Sequence, residues 1–172
     1  MDIAAQLMAE HSKRNTELIV NYIGSDPKLF AELVSVFSKG DYRLTQRASW
    51  PLSVVVEQHP KLAQKHIHFI CTLLDAKMHV AIKRNVLRLL QYIDLPEEEM
   101  GPMADRCIKY IHDLHEPVAV KAFAMTVLYR ICEKEPELKN EVIPLLEDLL
   151  PFGSAGIISR SKRVLAQLAK LP

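Results

Sequence analysis

The sequence predicts an all-α protein in which pairs of helices stack into a solenoid, with about nine helices in four to five repeats of about 37–38 residues. The first observation is an amphipathic helix around residue 86, whose apolar residues share one helical face. They are Ile82, Val86, Leu89, Leu90 and Ile93. The second observation is that relatives of this helix return at a nearly constant interval. The third is a column of prolines with a similar period, and together they are typical of helical repeats.

Two independent columns of the sequence carry the repeat. The intervals between matched tripeptides are 37, 38 and 38 residues, along the series Thr45-Gln46-Arg47, Ile82-Lys83-Arg84, Val120-Lys121-Ala122 and Ile158-Ser159-Arg160. Proline suits the first position of a helix, and one is found where each new pair should begin, at Pro27, Pro60, Pro96 and Pro136. Aligning the first two prolines adds a truncated unit with Ser12-Lys13-Arg14 in the same column.

These second helices resemble those of HEAT and armadillo-like repeats, in which an apolar and a basic residue are followed three positions later by a small or apolar one. The pattern is matched by Ile82-Lys83 with Val86 and by Val120-Lys121 with Ala124. Gln46 and Ser159 depart from it, and Lys77 and His115 stand where the family often has an acid before the helix. The resemblance covers roughly residues 10–172. It implies a single domain over 1–172, a right-handed α-α superhelix with the second helices on its concave surface.

The N-terminal residues are predicted to form a capping helix over 3–23, within a cap at 1–24 that ends at Gly24-Ser25. A terminal repeat needs a polar outer face, and this one is supplied by Glu10, Lys13 and Glu17. The buried edge of the helix is predicted to consist of Leu18, Ile19, Tyr22 and Ile23.

The next predicted pair comprises a helix over 28–38 and a second helix over 41–58. The first ends before Gly40, because glycine favours the position that follows a helix. Asp41 is the expected N-cap of the second. Pro51 lies in the middle of that helix and should bend it, since an interior proline removes a backbone hydrogen bond.

The remaining helices continue the alternation. They are predicted over 61–76, 79–94, 97–113, 117–133, 137–150 and 155–170. The first turn of 97–113 should be irregular because the chain restarts at Gly101-Pro102, and Pro144 should kink 137–150. Residues 154–172 are predicted to form the C-terminal capping helix that closes the stack.

The composition is that of an ordinary soluble surface, with 25% charged residues and a formal net charge of +1, so no general attraction to nucleic acid or membrane is expected. No uncharged run approaches bilayer length, and the early acids of residues 1–10 are unlike a signal peptide. Cys71, Cys107 and Cys132 lie among apolar neighbours without CxxC spacing. They are predicted to be buried reduced thiols, which makes the cytoplasm the expected compartment.

Charge is divided unevenly between the two kinds of helix. The five second helices with their ends sum to +8, so the other residues sum to −7. The resemblance therefore implies a basic inner groove and an acidic outer wall. The predicted binding residues are Arg47, Lys83, Arg84, Arg88, Lys121, Arg160 and Arg163, with Trp50 either stacking on a partner or belonging to the core. In the alternative interpretation these cations are solvated or pair with acids of a neighbouring repeat.

These features predict a non-catalytic, monomeric binding module or scaffold that recognises an acidic protein or peptide through the basic face. Nucleic-acid binding through phosphate contacts in the same groove is the alternative. The two differ in salt dependence, since phosphate neutralisation makes affinity fall steeply with salt.

Catalysis and metal binding have less support in the sequence. The architecture is similar to that of HEAT-like alkylpurine DNA glycosylases, which use several groove aromatics and a catalytic Asp, but acids of the second helices occur only at helix ends, as Asp41, Glu57 and Asp94. His66 and His68 point in different directions on a helix. His112, His115 and Glu116 lie at a helix end, where interaction of His with the dipole is the commoner role. No catalytic residue, metal or cofactor is therefore predicted.

Overall fold

The computed structural model describes residues 1–39, 41–74 and 80–172, and every regular element in these ranges is helical. They contain ten α-helices and two 3₁₀ helices, which confirms the predicted all-α class with ten helices in place of about nine. Gly40, predicted to follow a helix end, and Lys77, predicted to depart from the family pattern, lie outside the described residues. The chain forms two compact units, unit 1 (Met1–Ile93) and unit 2 (Asp94–Pro172).

Unit 1 is built around one long helix. Its described elements are α1 (Ile3–Ala9), α2 (Lys13–Ile23), α3 (Pro27–Lys39), α4 (Tyr42–Gln58), the 3₁₀ helix Pro60–His66, α5 (Ile67–Thr72) and α6 (Val80–Leu90). Helix α4 packs against α2, α3 and α6. The core includes Phe30, Leu33, Phe37, Leu52 and Leu87, all at most 1% exposed. Burying each such side chain contributes roughly 1.5–3 kcal/mol. The packing of the neighbouring helices against α4 therefore stabilises unit 1.

The single capping helix predicted over 3–23 is instead two helices, α1 and α2. The chain is extended at Glu10, and Ser12 caps α2 by accepting a hydrogen bond from the backbone N–H of Asn15 at 3.1 Å. The buried Asn15 side chain donates to the carbonyl of Glu10 at 2.7 Å, so the break is stabilised by side-chain hydrogen bonds. The predicted buried edge is also partly wrong, because Leu18 is 49% and Tyr22 39% exposed.

Residues 60–72 form a 3₁₀ helix followed by the short α5, and not the continuous α-helix predicted from residue 61. No side chain caps the element, and at their junction His66 has φ −115° and ψ 0°, outside the α-helical region. The predicted end at residue 76 lies outside the described residues. The helix predicted over 79–94 is observed as α6, which ends at Leu90 and not at residue 94, while residue 79 lies outside the described residues.

Unit 2 is arranged around α8. Its elements are α7 (Glu97–His112), α8 (Val118–Cys132), the 3₁₀ helix Pro136–Leu138, α9 (Lys139–Glu147) and α10 (Ala155–Leu168). Helix α8 packs against α7, α9 and α10, and Met125, Val127 and Leu128 are fully buried. The predicted bounds 117–133 and 155–170 agree with α8 and α10 to within two residues at each end.

Interior prolines are accommodated without breaking any of three helices. Helix α7 runs continuously through Gly101 and Pro102, so the irregular first turn predicted there is wrong. Its first turn carries Glu97, Glu98 and Glu99, and carboxylates stabilise the positive end of a helix. Helices α4 and α9 likewise continue through their interior prolines.

The three cysteines are buried and form no disulfide, which confirms the prediction of buried thiols. Burial raises the pKa of Cys132 to about 11 from an ordinary value of 9.0. This thiol is therefore protonated at neutral pH, a state in which it is a poor nucleophile.

Candidate partner-binding surface

The predicted cations lie on second helices in both units. We call Arg47, Lys83, Arg84 and Arg88 on α4 and α6 the unit-1 basic row, and Lys121, Arg160 and Arg163 on α8 and α10 the unit-2 basic row. Their surroundings differ from one residue to the next, because some are engaged inside the protein and others project into solvent.

Arg47 is engaged inside unit 1. Its guanidinium Nη1 donates to the carbonyl oxygens of Leu7 and Met8, at 3.1 and 2.9 Å. These carbonyls belong to the last turn of α1, where they lack helical partners and where a cation complements the helix dipole. The half-buried Arg47 therefore fastens α1 to α4.

Arg88 forms an ion pair with an acid of the preceding second helix. Its Nη2 lies 2.6 Å from Oε2 of Glu57, near the end of α4, and Oε1 of the same carboxylate accepts from the Tyr92 hydroxyl at 2.9 Å. Burial, and then the hydrogen bond to Glu57, raise the pKa of Tyr92 above its ordinary value. For Arg88 the interpretation as an ion pair between repeats is thus the observed one.

Arg84 points into solvent and makes no ion pair with the described residues. The next residue, Asn85, is 3% exposed, and its Nδ2 donates to Oγ of Ser49 on α4 at 3.1 Å. Because the two residues are adjacent on α6, this buried hydrogen bond fixes the rotation of the helix that presents Arg84. Lys83 beside it is half-buried and has a polar interaction of its own.

Trp50 is half-buried on α4. Its ring meets His11, in the linker between α1 and α2, edge to face, with centroids 5.9 Å apart and planes at 71°. This geometry is favourable for aromatic rings. The observed contact is internal to unit 1, and a stacking contact of Trp50 with a partner stays a prediction.

The unit-2 basic row also contains engaged and exposed members. Arg160 is half-buried, and its Nη1 donates to the hydroxyl of Thr126 on α8. Arg163, three residues further along α10, is exposed and has no ion pair among the described residues. Lys121 is half-buried at the start of α8, in a groove of about 380 Å³. Arg163 is therefore the member of this row that most resembles Arg84.

A second polar network, which the sequence did not predict, lies in unit 2. Arg130 on α8 pairs with Asp94 at 2.9 Å and with Glu133 at 3.0 Å. Glu133 also accepts from the Tyr129 hydroxyl at 2.9 Å, and this bond raises the pKa of Tyr129. The repeat period could have indicated this network, because Asp94 follows Glu57 by 37 residues and so occupies the same position one repeat later.

The two units differ in net charge. Unit 1 contains 12 Lys and Arg against eight Asp and Glu, a net +4, whereas unit 2 contains ten against 13, a net −3. The first helices of unit 1 are themselves basic. Helix α3 contains Lys28 and Lys39 but only one acid, and the 3₁₀ helix that follows α4 contains Lys61 and Lys65. An acidic outer wall therefore fits only the sequence of unit 2.

The histidines considered as metal ligands have other contacts. His66 lies edge to face with Phe30 at a centroid distance of 5.6 Å, and burial, followed by the charge of Lys65, lowers the pKa of His66. His115 Nδ1 lies 3.3 Å from the Asp113 carboxylate. Within the described ranges, no three His, Cys, Asp or Glu side chains are grouped so as to hold a metal ion.

The helix pairs and their stacked second helices define the class of this protein as a helical repeat. A model of the HEAT repeat domain matches residues 3–168, and the chain belongs to the HEAT repeat family. It is similar in fold to the crystal structure of an engineered protein, with a TM-score of 0.62 and 13% sequence identity over 97% of this chain and 79% of that one. None of the curated proteins matches the chain.

The family agrees with the general type of function expected from the sequence. HEAT repeats are generally protein-interaction modules and are typically non-catalytic, which makes this chain a helical-repeat scaffold by class. Among the helices that the structure describes, none is both long and apolar enough to cross a membrane.

Proposed function

We propose that this protein is a non-catalytic scaffold that binds an acidic segment of a partner protein through its basic rows. The observation that carries the proposal is the exposure of Arg84 on a helix whose rotation is fixed by the buried hydrogen bond between Asn85 and Ser49. A cation held in this way is available to a carboxylate without rearrangement, which lowers the entropic cost of binding. Arg163 occupies a comparable exposed position in unit 2.

An acidic peptide is a better candidate partner than nucleic acid, because few cations of the basic rows are uncommitted. Arg47 is bound to main-chain carbonyls, Arg88 to Glu57 and Arg160 to Thr126. Proteins that bind duplex DNA tightly commonly neutralise about six to ten phosphates. The exposed members of either row are fewer than that, whereas a peptide with two or three acids needs only a few cations.

We also infer that the protein acts as a monomer in the reducing cytoplasm. Three buried cysteines that form no disulfide support a reducing compartment, since disulfides form mainly in oxidising ones. Sedimentation velocity of the purified protein, over a range of concentrations, tests the monomeric state directly.

The proposal is tested by fluorescence anisotropy with three labelled probes, poly-glutamate, duplex DNA and single-stranded DNA, at low and moderate salt. Arg84→Glu and Arg163→Glu are the informative variants. They reverse an exposed charge and disturb no ion pair among the described residues, whereas a change at Arg88 would also strand Glu57. Lys28→Glu is the matched control, because Lys28 is an exposed cation on the first helix α3.

We expect poly-glutamate to bind with a shallow salt dependence, and each informative variant to weaken it by about tenfold, or about 1.4 kcal/mol. The control should bind like the wild type. A duplex affinity that exceeds that for poly-glutamate and falls steeply with salt would replace the proposal with the nucleic-acid alternative. Equal losses in Arg84→Glu and Lys28→Glu would show that only overall charge matters, and would refute a specific surface.

A further inference from the structure

An exposed apolar surface lies in unit 2, where a first helix turns into a second. Leu114, between α7 and α8, is 90% exposed, and Phe152, between α9 and α10, is 91% exposed. The two residues are 38 apart, so they occupy the same position in successive repeats. With Val118, itself 44% exposed, they line one groove of about 380 Å³, which we call the turn groove. Single exposed apolar residues are common, but a group around one concavity is typical of a binding site.

The backbone around the turn groove is closely packed. At Gly153 an added Cβ would lie 2.7 Å from the carbonyl oxygen of Leu149 and 2.9 Å from Cγ2 of Ile157. Only glycine fits there, and its N–H donates to the same carbonyl at 2.8 Å. This closed turn directly follows Phe152. The ring is therefore presented to solvent by a rigid turn.

The rim of the turn groove is mainly acidic. Glu116 and Asp148 line it, and Lys121 is the one cation among the lining residues that the structure describes. Asp113 lies in the same turn as Leu114, and its carboxylate accepts from the backbone N–H of His115 at 2.9 Å. That bond is the main cause of the lowered pKa of Asp113, so the carboxylate is ionised at neutral pH. Unit 2 as a whole adds a net charge of −3.

We propose that the turn groove binds a segment of a partner protein in which an aromatic or leucine side chain is flanked by Lys or Arg. The apolar side chain would cover Phe152 and Leu114, and the flanking cations would face the acidic rim. A second copy of this chain fits less well, because a two-fold interface would bring one acidic rim against the other. The proposal does not rest on the basic rows, although Lys121 belongs to one of them and also lines the groove, because the partner of those rows has the opposite charge.

The test begins with selection of a random displayed-peptide library on the wild-type protein, followed by anisotropy measurements with the selected peptides. The Leu114→Ser/Phe152→Ser variant removes the apolar surface without touching the core, and Asp148→Lys reverses part of the rim. Leu18→Ser, which changes a 49% exposed apolar residue in unit 1, is the matched control.

Selected peptides should share one large apolar residue next to Lys or Arg. The double variant should bind them at least about tenfold more weakly, and Asp148→Lys about threefold more weakly, while Leu18→Ser and Arg84→Glu bind normally. Failure to select any peptide, acidic selected peptides, or full affinity in the double variant would each overturn the proposal. It would also be overturned if sedimentation showed a wild-type dimer that the double variant dissociates, since the groove would then be covered by a second copy.

Discussion

Arg88 on α6 and Glu57 at the end of α4 form an ion pair with 2.6 Å between Nη2 and Oε2. In unit 2, Asp94 takes the position of Glu57 one repeat later and pairs with Arg130 on α8. The first pair joins the end of α4 to α6 within unit 1, and the second joins the first residue of unit 2 to α8. They are partly exposed, so each is worth about 0–1 kcal/mol, and their main effect is to withdraw two arginines from partner binding.

Substituting Glu57→Gln should release Arg88 and Tyr92. The ion pair is lost while the shape is kept, so we expect a loss of about 0.5–1 kcal/mol in the free energy of unfolding, measured by urea denaturation. The pKa of Tyr92 should fall towards its ordinary value of 10.0, because the Glu57 charge helps to raise it. The titration is followed by tyrosinate absorbance, with Tyr92→Phe identifying the contribution of this residue.

The same substitution should increase the affinity for poly-glutamate by about threefold, since it frees one cation of the unit-1 basic row. Glu32→Gln, which neutralises an exposed acid on α3, is the control for overall charge. Equal increases in affinity in the two variants would show that only the overall charge matters, and that the release of Arg88 from Glu57 does not strengthen binding. An unchanged affinity in Glu57→Gln would argue against Arg88 as part of the binding surface.

The hydrogen bond between Asn85 and Ser49 should be a specific source of stability in unit 1. Asn85→Ala leaves a cavity and removes the donor to the Ser49 hydroxyl, and should cost about 1–3 kcal/mol. Ser49→Ala should also cost about 1–3 kcal/mol, because it leaves the buried Asn85 amide without this acceptor and removes the bond that Ser49 donates to the carbonyl of Gln46. A double-mutant cycle by urea denaturation should give a coupling of at least about 0.5 kcal/mol. Strict additivity would show that the bond contributes nothing.

Arg47→Ala should loosen α1 while leaving the rest of unit 1 folded. The two carbonyls that Arg47 contacts in α1 would lose a charged donor, and such bonds are worth about 1.5–3 kcal/mol when buried and less at this half-buried site. Amide hydrogen exchange should accelerate in Ile3–Ala9 far more than in α4. Arg43→Ala, at an exposed position on the same helix, should leave α1 unchanged. Uniform acceleration across unit 1 would contradict a local role.

The sequence predicted most helices because their apolar residues recur with the helical period and prolines mark their starts. The break between α1 and α2 was missed although Ser12, a good N-cap residue, was visible. Apolar residues continue on both sides of it, and the side chain that stabilises the extended segment, Asn15, acts through contacts that no local pattern reveals. The 3₁₀ form of residues 60–66 was missed for a similar reason, since a proline start suits both helix types.

The candidate surface was predictable as a column of cations, but the state of each cation was not. Arg47, Arg84 and Arg160 occupy one column of the repeat, yet one contacts carbonyls, one points into solvent and one contacts Thr126. Which state results depends on the rotation of each helix and on residues 30 to 40 positions away in the chain. The turn groove was missed because Leu114 and Phe152 lie in turns, where a helical pattern says nothing about exposure.

Cys132 should make the stability of the protein fall at high pH. Its pKa is about 11 in the folded protein, against an ordinary value of 9.0, which applies to the unfolded chain. Between these pH values the unfolded thiol has lost its proton and the folded thiol has kept it, so rising pH favours unfolding. The free energy of unfolding should therefore fall more steeply from pH 9 to 11 in the wild type than in Cys132→Ala. Tyr92 and Tyr129 titrate in both proteins and cancel in the difference, and parallel curves would contradict the raised pKa.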